Sequence, residues 1–110
     1  MQKCDLLYLN LSFIEQHYSE DISIEDISSF CGLNRSYFSK VFRDTMGESP
    51  QGFLLHYRMA QAAQLLTESR LPISTISTMV SYPNQLHFSR AFKNVYGISP
   101  RDYRAKHLAL

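Results

Sequence analysis

Two sets of side chains in this 110-residue chain recur at the spacing of a single helix face. The first is Arg35, Ser36, Ser39, Lys40 and Arg43. The second is Gln85, Leu86, His87, Ser89, Arg90 and Lys93. Steps of one, three and four gather each set on one side of a helix. These residue types share a use. Arg or Lys pairs with O6 and N7 of guanine, Gln with N6 and N7 of adenine, Ser with either, and Leu can touch the methyl of thymine. Apart from Asp44, near the end of the first helix, neither face carries a carboxylate. Two basic faces in matched frames point to base edges in double-stranded DNA. The alternative is a helical protein-interaction module whose basic faces meet an acidic partner.

The matched frames come from a repeat. FSKVFRDTMGESP at 38–50 returns as FSRAFKNVYGISP at 88–100. Phe38/Phe88, Ser39/Ser89, Phe42/Phe92, Gly47/Gly97, Ser49/Ser99 and Pro50/Pro100 are identical, and Lys40 answers Arg90 as Arg43 answers Lys93. Ile24, Ile27 and Gly32 correspond to Ile73, Ile76 and Ser81 at an offset of 49, while Phe38 to Phe53 correspond to Phe88 to Tyr103 at an offset of 50. The second turn therefore holds one extra residue, around Pro83-Asn84. Each copy is a short helix, a tight turn and a longer helix. That is a helix-turn-helix, whose second helix is the one that enters the major groove.

The elements that position these faces are helical throughout, with no strand pattern. Leu7, Leu11, Ile14 and Tyr18 predict one face of a first helix. Ser23-Ile-Glu-Asp26 is a capping box that opens a second, with Ile24, Ile27 and Cys31 inward. Asn34 is an N-cap for a third helix from Arg35 to about Met46, with Phe38, Val41 and Phe42 inward and Gly47 as its left-handed stop. Ser49-Pro50 starts a long helix to Glu68, with Phe53, Leu54, Tyr57, Ala60, Leu65 and Leu66 predicted inward. Arg58 on this helix serves an internal ion pair or a phosphate. Pro72 marks a boundary before a fifth helix lined by Ile73, Ile76 and Val80. A sixth runs from about Gln85 to Tyr96, with Phe88, Ala91 and Phe92 inward, and stops at Gly97. Ser99-Pro100-Arg-Asp102 is a second capping box and starts a short seventh helix. The expected fold is all-α: seven helices, as two helix-turn-helix subdomains of homeodomain-like three-helix type (about 5–48 and 72–108), joined by a linker helix (about 50–68).

Bulk properties fit this picture and exclude others. The chain is 45% hydrophobic, enough for a core, yet has no apolar run long enough to span a membrane. MQKCDLLYLN shows no basic-then-apolar leader pattern, so a soluble cytoplasmic protein is expected. The net charge is only +1, but residues 1–31 sum to −5 and residues 32–110 to +6, leaving one side free to meet a polyanion. Cys4 and Cys31 form no CxxC pair, and Cys31 reads as a buried free thiol. There is no GxSxG, no HExxH and no phosphate-cradling Gly-rich loop, and His17, His56, His87 and His107 make no i, i+4 pair. Neither an enzyme nor a metal or cofactor site is expected.

Phosphate contacts would fix the register of such helices without reading sequence. Helix starts at Ile24, Ile73 and Pro100 offer backbone N–H groups, and Arg101 and Arg104 add charge. The 19 residues from Pro50 to Glu68 make a helix of roughly 28 Å. Consecutive major-groove faces on one side of B-DNA lie about 34 Å apart. A spacer of this length could set two recognition helices in consecutive grooves without a dimer.

From about Leu6 to His107 the chain resembles the DNA-binding domain of the AraC/XylS family of bacterial transcription regulators. The resemblance rests on Phe13-Ile14 with His17-Tyr18, Ile24 and Ile27, Tyr37-Phe38-Ser39 with Phe42, Gly47-x-Ser49-Pro50, Tyr57-Arg58 with Ala62 and Leu66, and above all on Phe88-Ser89-Arg90-x-Phe92-Lys93-x-x-x-Gly97-x-Ser99-Pro100-x-x-Tyr103-Arg104. It implies base contacts from Ser36, Ser39 and Lys40 in the first recognition helix and from Gln85, Leu86 and Arg90 in the second. It also implies double-stranded promoter DNA as ligand, usually activation through contact with RNA polymerase, an isolated domain that is monomeric, and most often a position as the C-terminal part of a longer regulator. Two departures stand out. Where the family commonly has Gly-Phe in the second turn, this chain has Ser81-Tyr82 followed by Pro83, which implies either a less demanding backbone angle or modest strain. Ser36 and Ser39 are short, so the first helix is expected to read fewer bases than the second, and the target to be asymmetric.

Overall fold

Seven helices form from the seven apolar-periodic segments, and most of their boundaries have a visible local cause. The computed structural model describes the backbone of residues 3–107 and the side chains of residues 8–107. The helices are α1 (Lys3–His17), α2 (Ile24–Phe30), α3 (Arg35–Met46), α4 (Pro50–Glu68), α5 (Ile73–Met79), α6 (Gln85–Tyr96) and α7 (Pro100–His107). No strand occurs among the described residues. The chain divides into two compact units, Met1–Leu55 and His56–Leu110, with the division falling inside α4. None of the described helices is long and apolar enough to cross a membrane.

In the first unit α1 packs on α2 and α3, and α2 packs on α3. Ser23 caps α2 reciprocally: its Oγ accepts the Asp26 N–H at 3.1 Å, and Asp26 Oδ2 accepts the Ser23 N–H at 2.8 Å. Such a cap is worth about 1 kcal/mol. Ile24, Ile27 and Cys31 are buried. Gly32 takes the left-handed conformation at φ 74°, which lets the Leu33 N–H turn back to the Ser28 carbonyl at 2.9 Å. Asn34 Oδ1 then accepts the Tyr37 N–H at 2.8 Å and starts α3, which ends at Gly47 with φ 79°.

The face of α1 differs from the predicted one. Leu11 is 37% exposed, while Asn10 and Ile14 are fully buried. Phe13 packs its ring 4.9 Å from Phe30 and 4.5 Å from His17. The inward stripe is thus Asn10, Phe13, Ile14 and His17, turned about one position from the predicted set. A polar Asn in that stripe disguises it. Tyr18 lies just past α1 but donates its N–H to the Ile14 carbonyl at 2.9 Å. The side chains of Leu7 and Cys4 lie outside the described residues.

In the second unit α5 packs on α6, and α6 on α7. Here α5 begins at Pro72 with no side-chain cap. The following turn, residues 80–84, is one longer than its counterpart, 31–34, as the change of offset predicts. Asn84 Oδ1 accepts the N–H groups of Leu86 and His87 at 2.9 and 3.1 Å and starts α6, and Gly97 closes it at φ 83°. The family's usual Gly position in this turn holds Ser81 at φ 69°, so the backbone keeps the demanding angle and the serine adopts it.

The two cores are built to one plan. Phe38 and Phe42 lie 5.8 Å apart, and Phe88 and Phe92 lie 5.9 Å apart. Phe42 meets Phe53 edge-on at 5.6 Å, and Phe92 meets Tyr103 edge-on at 5.2 Å. Edge-to-face pairs add about 0.5–1.5 kcal/mol beyond area burial. Ser49 Oγ accepts the Gly52 N–H, and Ser99 Oγ accepts the Asp102 N–H, both at 3.1 Å. The start of α4 therefore serves the first Phe pair as α7 serves the second.

Along α4 the buried residues are Pro50, Leu54, Met59, Ala62, Ala63 and Leu66, with Phe53, Tyr57 and Leu65 half-buried. Ala60 is exposed, contrary to expectation. One step along a helix turns a side chain by about 100°. Met59, three residues before Ala62, takes the inward place in its stead. Arg58 is half-buried.

Candidate nucleic-acid interface

The outer face of α3 is the side opposite Phe38 and Phe42. Arg35, Ser36, Lys40 and Arg43 are exposed there, with Ser39 half-buried. Ser36, Ser39, Lys40, Arg43 and Asp44 line a shallow surface groove. Arg43 sits in the last turn, where a cation opposes the negative end of the helix dipole. Arg35 is not wholly free: its Nη1 lies 3.6 Å from Glu25 Oε1 of α2. Both groups are exposed, so this pair is worth at most about 1 kcal/mol and leaves the guanidinium available to a stronger anion.

On α6 the same register presents Gln85, Leu86, His87, Arg90 and Lys93 as exposed residues, with Ser89 half-buried like Ser39. Leu86 is 58% exposed. Every position of both sets is thus exposed or half-buried.

Tyr37, the counterpart of His87 in the repeat, is a further outward residue of α3. Tyr37 is 55% exposed and stands beside Ser36 and Lys40. The signal that places it outside is its position, one residue before Phe38 and therefore off the inward line.

The phosphate candidates separate. The start of α2 at Ile24 is already occupied, because Asp26 caps it and Glu25 adds a second carboxylate in the first turn. Those charges oppose a phosphate at Ile24. The start of α5 at Ile73 has neither a side-chain cap nor an acidic first turn. Arg101 is exposed in the first turn of α7. Arg104 is committed elsewhere: its Nε donates to the Leu66 carbonyl at 3.0 Å, and its Nη2 donates to the Leu71 carbonyl at 2.7 Å and the Ser69 carbonyl at 3.4 Å. It caps the C-terminal end of α4, where unpaired carbonyls and the helix dipole both favour a cation. These bonds give Arg104 a structural role at this helix end. Cys31 is free and buried, and burial pushes its thiol pKa up, away from the range of reactive thiols.

Comparison with known proteins follows the same lines. A helix-turn-helix domain family matches residues 27–106. The lactose operon transcription activator of Staphylococcus xylosus is 36% identical over 94 residues, covering 86% of this chain and 34% of that protein. The C-terminal domain of AraT, a response regulator from Geobacillus stearothermophilus, superposes with a TM-score of 0.91 at 32% identity, over 96% of this chain and 88% of that one. A transcriptional regulator from Chromobacterium violaceum, described by its AraC-type DNA-binding domain, superposes with a TM-score of 0.88 at 28% identity, over 94% and 93%. The chain spans between 30% and 38% of the length of the curated relatives it matches. With the helix-turn-helix repeat, its two capped outer-face helices and these matches together, the chain belongs to the AraC-type helix-turn-helix family of DNA-binding transcription regulators.

Proposed function

We propose that this chain binds a promoter site by placing α3 and α6 in consecutive major grooves of double-stranded DNA, with α4 as the spacer. The observation that carries this is the sharing of caps, Phe pairs and a glycine stop by two helices whose outer faces are exposed, polar and basic. Arg35, Ser36, Ser39, Lys40 and Arg43 would face one half-site, and Gln85, Leu86, His87, Ser89, Arg90 and Lys93 the other. Arg90 and Gln85 have the geometry for bidentate contacts with guanine and adenine, and Leu86 for a thymine methyl. Arg101 and the backbone N–H groups at Ile73 would hold phosphates. The 19 residues of α4 give a rod of about 28 Å, comparable with the groove repeat of about 34 Å.

Transcription activation through RNA polymerase, in the cytoplasm, is the regulatory role that follows, supported by a relative named as an operon activator. The domain would act as a monomer, as the C-terminal part of a longer regulator.

Selection of bound duplexes from a random pool tests the proposal. Two dissimilar half-motifs about one helical turn apart are expected. Binding should also fall steeply with salt, as phosphate contacts require. Selected sites holding one motif only, or no enrichment over the starting pool, would count against it.

A further inference from the structure

Tyr37 is the third residue of α3, and His87 is the third residue of α6. Outside the packed Phe pairs, this is the one register position at which both helices carry a ring. Both residues are exposed, Tyr37 as one of the large side chains that the core leaves out. Neither side chain has a hydrogen bond or a ring contact among the described residues. The Phe38–Phe42–Phe53 cluster is complete without Tyr37. Packing therefore does not account for a ring at this place.

We propose that Tyr37 donates its hydroxyl proton to a backbone phosphate on the wall of the major groove that α3 occupies, and so pins the helix in register. The inference rests on α3 acting as a recognition helix. A helix with its side chains is about 10–12 Å across, and the major groove is about 12 Å wide. Residues on the crest of the helix reach base edges, and residues on its flanks reach the phosphate walls. Ser36, Lys40 and Arg43 form the crest of α3. Tyr37 stands about a quarter turn from that crest, on the flank, at 100° per residue. A phenol suits this place: its ring covers sugar and its hydroxyl reaches past the ring to the phosphate. His87, at the matching place on α6, again sets a polar-tipped ring beside the crest. A phosphate contact positions the helix and carries no sequence information, which separates Tyr37 from its neighbours on the crest.

The test uses the full chain, a selected duplex and an unrelated duplex. Tyr37→Phe removes only the hydroxyl and should leave the melting temperature unchanged. It is expected to weaken binding about tenfold, the effect of one hydrogen bond to a charged acceptor, by the same factor on both duplexes. Next, single methylphosphonates are placed along the first half-site to remove one phosphate charge at a time. At one position the substitution should weaken the wild-type protein and add nothing to the loss in Tyr37→Phe, as a coupled pair requires. Wild-type affinity in Tyr37→Phe, a loss that varies with base sequence, or the absence of any coupled phosphate would each overturn the assignment. Failure of the broader proposal looks different: the wild-type chain itself would then show no preference for any duplex.

Discussion

Gly32 and Ser81 occupy the same place in the two turns, at φ 74° and 69°, yet only one of them is a glycine. The left-handed region costs an ordinary residue roughly 1–2 kcal/mol, because Cβ approaches the following carbonyl. The turn bonds agree: Gly32 N–H to Ser29 and Ser81 N–H to Thr78, both at 3.0 Å. The first copy avoids the strain, and the second carries it just ahead of α6.

Exchanging the two residues should move stability in opposite directions. A Cβ at Gly32 would meet nothing within 4 Å, so Gly32→Ser should cost only the backbone term, about 1 kcal/mol. Ser81→Gly should stabilise by less, because glycine gains freedom in the unfolded chain of about 0.5–1 kcal/mol. Thermal melts of both variants check this. Destabilisation by Ser81→Gly of more than about 1 kcal/mol would mean that the serine side chain, rather than the backbone, holds the turn.

Asn10 is fully buried on α1, and its side-chain oxygen and nitrogen find no hydrogen-bond partner among the described residues. An unsatisfied buried polar group costs about 1–3 kcal/mol. Asn10→Leu, which keeps the branched shape, should therefore raise the stability of the first unit by that order. Since about 1 kcal/mol shifts the melting temperature of a small domain by about 4–8 °C, differential scanning calorimetry resolves the change. A lowered melting temperature would show that the amide has a partner in solution.

Arg104 should behave as a structural residue. Arg104→Ala leaves the carbonyls of Leu66, Ser69 and Leu71 without their shared donor, at a cost of about 1.5–3 kcal/mol. Arg104→Lys should recover only part of this, because an ammonium lacks the planar fork that serves several acceptors at once. The slope of DNA affinity against salt should stay the same in a folded variant that removes the charge, Arg104→Gln. A slope lower by about one counterion would return Arg104 to the phosphate contacts.

Arg90→Ala should weaken binding to the selected site by about 1–3 kcal/mol and relax the preference at one base pair. Competition between the selected duplex and single-base variants reads this directly. Equal loss on every variant would make Arg90 a phosphate contact instead of a base reader.

Helix boundaries were legible in the sequence wherever their cause is local. Ser23, Asn34, Gly47, Ser49-Pro50, Gly97 and Ser99-Pro100 act on backbone within a few residues, so the pattern of types was enough. The outer faces of α3 and α6 were legible for a related reason: two Phe four residues apart fix the inward line, and the rest follows by rotation. Other features depend on distant partners. Asn10 is inward because α2 and α3 cover that side of α1, which overrides its polarity. Arg104 reaches carbonyls 33 to 38 residues away. The Glu25–Arg35 approach joins two helices across a turn. None of these has a period or a spacing to betray it.

The shared scaffold of α3 and α6 has a consequence for how new specificities could arise. Arg35, Ser36, Tyr37, Lys40, Arg43 and Asp44 are all exposed, as are Gln85, Leu86, His87, Arg90, Lys93 and Asn94 at the matching places. Every difference between the two sets lies outside the Phe clusters and the caps. The outer face is in effect a removable plate on a fixed mount. Transplanting the plate of α6 onto α3 would touch no buried side chain and, under the proposed mode of binding, would turn a reader of two unlike half-sites into a reader of a tandem repeat.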